Sequence, residues 1–392
     1  MSRESFDYSL LAPGPVNLHP EVRKILSLPM IHHRTPEFDE IFKRVLENLK
    51  MVFKTKEPCF IHSSTGTGGM ESALVNTLEF GDEVLAIISG KFGERWAEMA
   101  EIFGARVHRL EIPWGQPLNV NDIHVFLKTH PQIKAVITQA CETSTATAHP
   151  IQELGALIDT FPQVLLIVDG ITALGAYELP MDDWKIDVIV AGSQKAFMLP
   201  TGLSFISFSQ KAWQRVKTNK TPKYYFDVKR EFKANQNGES FFSASVAHIR
   251  ALDYVLDSIQ KIGFEKHLKI IRSRAESTRH FFTELGVALY SKCPSDSLTA
   301  LIVPPSIDGL KARGHLEKKY NITVMGGQDQ LKGKILRIGH MGYVQPEEMR
   351  RLYVAVIKTF KELDTNPQAS WPDEANLQIL ARKHSQTIEP VL

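Results

Sequence analysis

The chain reads as an α/β protein with a mainly parallel sheet, helices on both faces and a smaller α+β unit in its C-terminal third. From about residue 20 to 260, short apolar runs alternate with amphipathic segments, the order of βα units that builds a parallel sheet covered on both sides. From about 264 the order changes to a charged helix, short strands and a further helix. With 392 residues, 43% of them hydrophobic, the chain can fill two or more cores.

Each element follows from its own stretch. EVLAIIS (83–89), RVHRLEI (106–112), KAVITQA (134–140), VLLIVD (164–169), DVIVAGS (187–193) and LSFISF (203–208) have the length and apolar continuity of buried strands. FGERWAEMAEIFG (92–104) and IQELGALIDTF (151–161) carry helical periodicity between them. SVAHIRALDYVLDSIQKIG (245–263) is one long helix leading out of the sheet. A charged helix (264–286), the strands LTALIVP (298–304) and KILRIGH (334–340), and the helix PEEMRRLYVAVIKTFKEL (346–363) make up the smaller unit. The expected division is an N-terminal segment at 1–20, a large domain at 21–263, a small domain at 264–364 and a loose polar tail at 365–392. No fixed-period repeat is present.

Composition excludes several function classes. Lys plus Arg number 46 against 44 for Asp plus Glu, a net charge of +2 without a basic stripe, so no nucleic-acid partner is expected. Cys59, Cys141 and Cys293 lie far apart without metal-ligand spacing, which points to a reducing compartment, no disulfides and no metal. The opening MSRESFDYSLLAPGP lacks the apolar core of a signal peptide, and no apolar run approaches the roughly 20 residues of a membrane helix. A soluble, cytoplasmic protein with no membrane partner is expected.

Six stretches carry residue types suited to chemistry. AGSQKA (191–196) sets Lys195 just past a hydrophobic strand, either as the first solvated residue or as a working amine. VDGITALG (168–175) ends a strand with Asp169, where ligands collect in open α/β sheets and where turn-capping aspartates also occur. SSTGTGGMESAL (63–74) leads small and hydroxyl residues into a helix, an arrangement suited to a phosphate, though an ordinary capped turn has the same composition. It is neither a Walker motif nor G-x-G-x-x-G. GKFGERW (90–96) follows a strand end with Phe92, a ring for stacking on a planar ligand or for ordinary core packing. CETSTATAHP (141–150) offers Glu142, Thr143 and Ser144 beyond another strand, as ligand contacts or for the loop's own turns. In LRIGHMG (336–342), Arg337 sits inside an apolar strand and needs an anion, either an internal carboxylate or that of a substrate.

An amine, an acid, a phosphate cradle, an aromatic ring and a carboxylate-binding arginine are together the parts of a pyridoxal phosphate enzyme. In that setting Lys195 is held as a neutral imine, so its place behind a buried strand leaves no buried charge.

The same stretches resemble class V aminotransferases of fold type I, especially the alanine–glyoxylate and serine–pyruvate aminotransferase group, from LAPGPVNLHPEV (11–22) to RIGHMG (337–342). The most specific pieces are GSQKA with the following PTG, VDGITALG with its acid 26 residues before the lysine, and RIGHMG. The resemblance implies a fold-type-I pyridoxal phosphate transferase that moves an amino group from alanine or serine to glyoxylate or pyruvate. It implies that Lys195 carries the cofactor, Asp169 pairs with the pyridine nitrogen and Phe92 stacks on the ring. Thr65, Gly66, Thr67 and Gln194 then surround the phosphate, Thr143 contacts the ring or the lysine linkage, and Arg337 binds the substrate α-carboxylate. It also implies a homodimer with shared active sites, in which the partner helps hold the phosphate through a segment often reading T-P-x-T-P. Here that segment reads SFFSAS (240–245), with Ser240 and Ser243 for the threonines and no proline. In STAT (144–147), Ala146 stands where relatives commonly carry glycine, and IHHRTPEF (31–38) resembles a segment near the dimer interface. Cysteine desulfurase chemistry would need a mobile thiol, and Cys293 precedes a proline and a strand without a glycine-rich loop. A non-catalytic relative would be expected to have lost the lysine, the acid or the arginine, and all three are present.

Overall fold

The computed structural model describes residues 8–390. Its central sheet has seven strands: β1 (Cys59–His62), β2 (Glu83–Ile88), β3 (Arg106–Glu111), β4 (Ile133–Gln139), β5 (Leu165–Asp169), β6 (Val188–Gly192) and β7 (Ser204–Phe208). Their spatial order is β1-β7-β6-β5-β4-β2-β3. The run from β6 to β3 is parallel, and β7 lies antiparallel to both β6 and β1. Alternation of side chains along each strand divides the core in two. Leu85, Ile87, Val136, Leu166, Val168 and Ile189 join one cluster, while Val84, Ala135, Ile137, Leu165, Ile167 and Val188 join another on the opposite face.

The helices that matter for the site are α1 (Pro36–Phe53), α2 (Gly66–Thr77), α3 (Lys91–Ile102), α4 (Val246–Ile262) and α5 (Phe264–Glu284). Thr35 caps α1 through its side-chain oxygen, with Pro36 in the first turn, where its missing N–H costs nothing. Gly263, at φ +88°, separates α4 from α5 in a conformation that few other residues adopt. A second core follows around the antiparallel strands β8 (Leu298–Ile302), β9 (Met325–Gly326) and β10 (Ile335–Gly339), ordered β8-β10-β9, with α6 (Pro346–Leu363) and α7 (Glu374–Ser385) packed on it. Among the described residues no helix is long and apolar enough to cross a membrane.

The N-terminal segment threads between the cores. Ser9 and Leu10 pair in parallel with Ile322 and Thr323, and the Leu11 carbonyl accepts from Gly339 N at 2.7 Å. It enters the site at Pro13.

Three elements differ from the sequence reading. RVHRLEI is not a buried strand: β3 closes the sheet edge with Arg106, Arg109 and Glu111 exposed, and these charges keep the edge from pairing further. CFIH, too short to give a periodic signal, forms β1. The polar 365–392 stretch is not a loose extension. Its helix α7 turns Leu377 and Ala381 into the second core together with Ile388, and Ser277 Oγ donates to the His384 carbonyl at 2.8 Å.

Candidate active site

The parallel strands β1, β2, β4, β5 and β6 end at His62, Ile88, Gln139, Asp169 and Gly192, and the turns that leave them carry five of the six stretches singled out in the sequence, all but that of Arg337. This is the crevice outside the carboxyl ends of an open sheet. Asp169 lies in register with Gln139 on β4 and Val190 on β6. Its Oδ1 accepts from Ile171 N at 2.9 Å, so it does cap its own turn, while its Oδ2 accepts from Trp96 Nε1 at 3.0 Å. Burial pushes the carboxyl pKa up; those two hydrogen bonds and the Lys195 charge pull against it. A carboxylate holding only two donors keeps lone pairs for a third, cationic one.

Lys195 is 8% exposed and its Nζ donates to the Pro13 carbonyl at 2.6 Å. Burial lowers the amine to about 8, with Arg337 acting the same way against Cys141 and Asp169. It is therefore a buried amine rather than a solvated strand end, and at a pKa of about 8 roughly a tenth of it is neutral at pH 7. Gly14, at φ +126°, makes the approach possible: a Cβ there would strike Lys195 Nζ, Cδ and Cε.

Arg337, in the middle of β10, donates through Nε to the Gly326 carbonyl and through Nη1 to the Thr143 carbonyl, each at 2.9 Å. It forms no ion pair among the described residues, so the internal-carboxylate alternative is not what holds it. Burial lowers its pKa to about 10, opposed by the charges of Glu142 and Cys141. Glu142 itself is occupied at the start of α3, accepting from Phe92 N and Gly93 N at 3.1 Å and from Ser144 N and Oγ at 3.0 and 2.6 Å. A buried carboxylate at a helix N-terminus is stabilised by the free N–H groups and the helix dipole. It fixes the backbone of Phe92 in the first turn of α3. Phe92 is half-buried, with the Arg95 guanidinium 5.0 Å from its ring centroid. Thr143 Oγ1 donates to Thr172 Oγ1 at 2.8 Å, in the turn after Asp169.

Helix α2 starts at Gly66. Thr65 stands at its N-cap, exposed and making no side-chain capping bond, and Thr67 is half-buried. The first-turn N–H groups thus have no side-chain cap. A Cβ on Gly66 would lie 2.6 Å from Ile171 Cδ1, so the loop packs directly on the turn that leaves Asp169. Gln194, half-buried beside Lys195, leaves its Oε1 buried without a hydrogen-bond partner. An amine, an acid with spare lone pairs, an open helix N-terminus and an orphaned amide fit a phosphorylated pyridine aldehyde.

Ser240 and Ser243 line a small cavity with His62 and Ser63. Within the chain neither touches Lys195, Asp169 or Arg337; Ser240 Oγ donates to the Phe242 carbonyl at 2.6 Å and Ser243 is exposed. Ala146 is fully buried at φ +61°, the left-handed region that glycine adopts without strain. Burial pushes the Cys141 thiol up to about 12 and also raises that of the exposed Cys293, the reverse of what a reactive thiol needs. Trp96 and Pro13 escaped the sequence reading. Trp96 had a signal, since it lies four residues after Phe92 on the same helix face.

The aminotransferase class-V family model matches residues 21–352. The chain belongs to the class V aminotransferases. It is 34% identical to the L-aspartate–glyoxylate aminotransferase of Paracoccus denitrificans, over 85% of this chain and 86% of that one. It is 35% identical to a protein of a Synechococcus species named as the small subunit of a soluble hydrogenase, over 90% and 93% of the two chains. The structure superposes on the alanine–glyoxylate aminotransferase of a Nostoc species with a TM-score of 0.86 and 28% identity, covering 91% and 96%. This class V aminotransferase is thus a pyridoxal phosphate enzyme of fold type I.

Proposed function

We propose that this aminotransferase takes the amino group of alanine or serine and delivers it to glyoxylate or pyruvate, as a homodimer with shared active sites. The observation that carries the reading is the pair Lys195 and Arg337: a buried amine with a lowered pKa, beside a buried guanidinium that has no carboxylate of its own. Arg337 is held by two backbone carbonyls, and its remaining N–H donors are left to bind the substrate α-carboxylate. Among the described residues Arg337 is the one guanidinium whose charge bears on Lys195, which favours donors with a small uncharged side chain over a dicarboxylate. Glyoxylate as acceptor is supported by the names of the Paracoccus and Nostoc relatives.

When bound, the cofactor supplies an electron-withdrawing ring that weakens the substrate Cα–H bond and carries the amino group between the two half-reactions. The protein's own groups do the rest. Lys195 would anchor the cofactor covalently, and its neutral Nζ would take the substrate Cα proton and return it during the transfer. Asp169 keeps a proton on the ring nitrogen, and Trp96 and Ile171 hold that carboxylate in place. Phe92 would stack on the ring, Thr143 would bond near the lysine, and Thr65, Gly66, Thr67 and Gln194 would hold the phosphate. Ser240 and Ser243 serve the partner's phosphate, replacing threonines of the related segment.

Absorbance spectra of cofactor-loaded protein test this. A band that requires Lys195, collapses on adding alanine or serine and returns with glyoxylate is expected, with Lys195→Ala showing none. A spectrum that responds to aspartate but to neither alanine nor serine would overturn the donor assignment.

A further inference from the structure

Behind the active-site segments, between α4 and α5, lies a cavity of about 240 Å³. Its walls are hydrocarbon, chiefly Val255, Ile259, Ile270 and Ile271. Set into that wall is Arg274, 1% exposed. Its Nη1 donates to the carbonyls of His340 and Gly342 at 2.7 and 3.0 Å, while its Nε is buried without a partner. It forms no ion pair among the described residues. The negative charge it feels is that of Glu348, whose carboxylate already accepts from Gln345 N at 2.9 Å. A buried guanidinium without a counter-ion costs free energy that a carboxylate would return. The other polar groups on the cavity wall are engaged. His267 Nε2 is bonded to the Gly175 carbonyl, His19 Nδ1 accepts from Glu21 N, and Lys261 is paired with Asp257 at the exposed rim.

We propose that this cavity is an effector site for a small aliphatic monocarboxylate, with its hydrocarbon tail against α4 and α5 and its carboxylate on Arg274. The volume lies just below the roughly 300–1,000 Å³ of ordinary ligand pockets, so the occupant is a short chain rather than a drug-sized molecule. A single guanidinium in an apolar wall suits one carboxylate; a phosphate would leave oxygens unsatisfied. The position supplies the coupling. Met198, three residues after Lys195, and Gly342, five after Arg337, both line the cavity, and Arg274 grips the backbone of the second of these segments. An occupant that shifts Arg274 therefore shifts the strand end that carries Arg337, and linkage makes the effect reciprocal with substrate binding.

Hexanoate titrated into the cofactor-loaded enzyme by calorimetry is the test, with amino-donor KM measured in parallel. The expected result is one hexanoate per subunit and a changed KM. Binding should persist in Arg337→Ala and weaken by more than about tenfold in Ser258→Phe, which fills the cavity from α4, and in Arg274→Met. Ser258→Phe should keep the wild-type spectrum and lose the hexanoate response. Binding that disappears in Arg337→Ala would place hexanoate in the active site and overturn the proposal. So would no heat at millimolar hexanoate, an unaltered affinity in Ser258→Phe, or binding that leaves KM unchanged. Loss of the lysine-dependent spectrum is read separately, so failure of the transaminase reading and failure of this one are distinguishable.

Discussion

Arg337 and Arg274 are built alike and placed differently. Each is buried, each donates to two backbone carbonyls, and neither has an ion-pair partner among the described residues. Burial lowers the pKa of both to about 10. Carbonyls hold a guanidinium in position without cancelling its charge, so each site keeps an unspent attraction for an anion. The surroundings then decide which anion. Arg337 shares its space with Lys195 and the strand ends, whereas Arg274 looks onto hydrocarbon from two long helices.

Removing the amine that feels Arg337 sharpens this contrast most. In the cofactor-free protein, Lys195 has its pKa lowered from 10.5 to about 8. The folded state therefore carries a cost that is full below pH 8, shrinks between pH 8 and 10.5, and is gone above. Two and a half units correspond to about 3 kcal/mol. Lys195→Met should abolish turnover and stabilise the cofactor-free protein by up to that amount at pH 7, with no gain at pH 11, as read by urea unfolding. Equal stabilisation at both pH values would show that burial of charge is not the cause.

Next come the two arginines. Arg337→Lys keeps the charge but loses the fork, and should lower kcat/KM by about 10- to 100-fold. Arg274→Met takes the donor from the His340 and Gly342 carbonyls and should cost about 1–3 kcal/mol of stability, while lowering kcat/KM without effector less than Arg337→Lys does. Steady-state kinetics on the pair decides; equal losses would erase the distinction between the sites. The smallest effect is at the wall beside Arg337. Ala146→Gly relieves a left-handed alanine and should raise stability by about 1 kcal/mol in thermal unfolding. A loss there would mean that Ala146 is held by packing rather than strained.

Much of the site was legible because its residue types are unusual for their places. A lysine behind VIV, an aspartate ending VLLIV and an arginine inside a strand each contradict hydrophobic patterning, and all three converge near the strand ends. What was not legible depends on contacts between residues far apart in the chain. Nothing near Pro13 indicates that its carbonyl will meet a lysine 182 residues away. Nor does the sequence around Glu142 show that its oxygens will be taken by the start of α3. The α7 helix was read as loose tail because few of its residues are apolar, although Leu377 and Ala381 lie four apart on one face. RVHRLEI was given to the interior on its Val, Leu and Ile, when its arginines belong at an edge.

The threading of residues 8–17 has a consequence for how the molecule comes into being on the ribosome. These residues are made long before their partners: Ser9 and Leu10 pair with Ile322 and Thr323, and Leu11 waits for Gly339. The βα units between can pack as they emerge. The Pro13 carbonyl that holds Lys195 cannot be locked in place until the chain has been made as far as Gly339. A growing chain thus lacks a finished lysine pocket, and the order of synthesis keeps a reactive amine from being completed before the protein that encloses it.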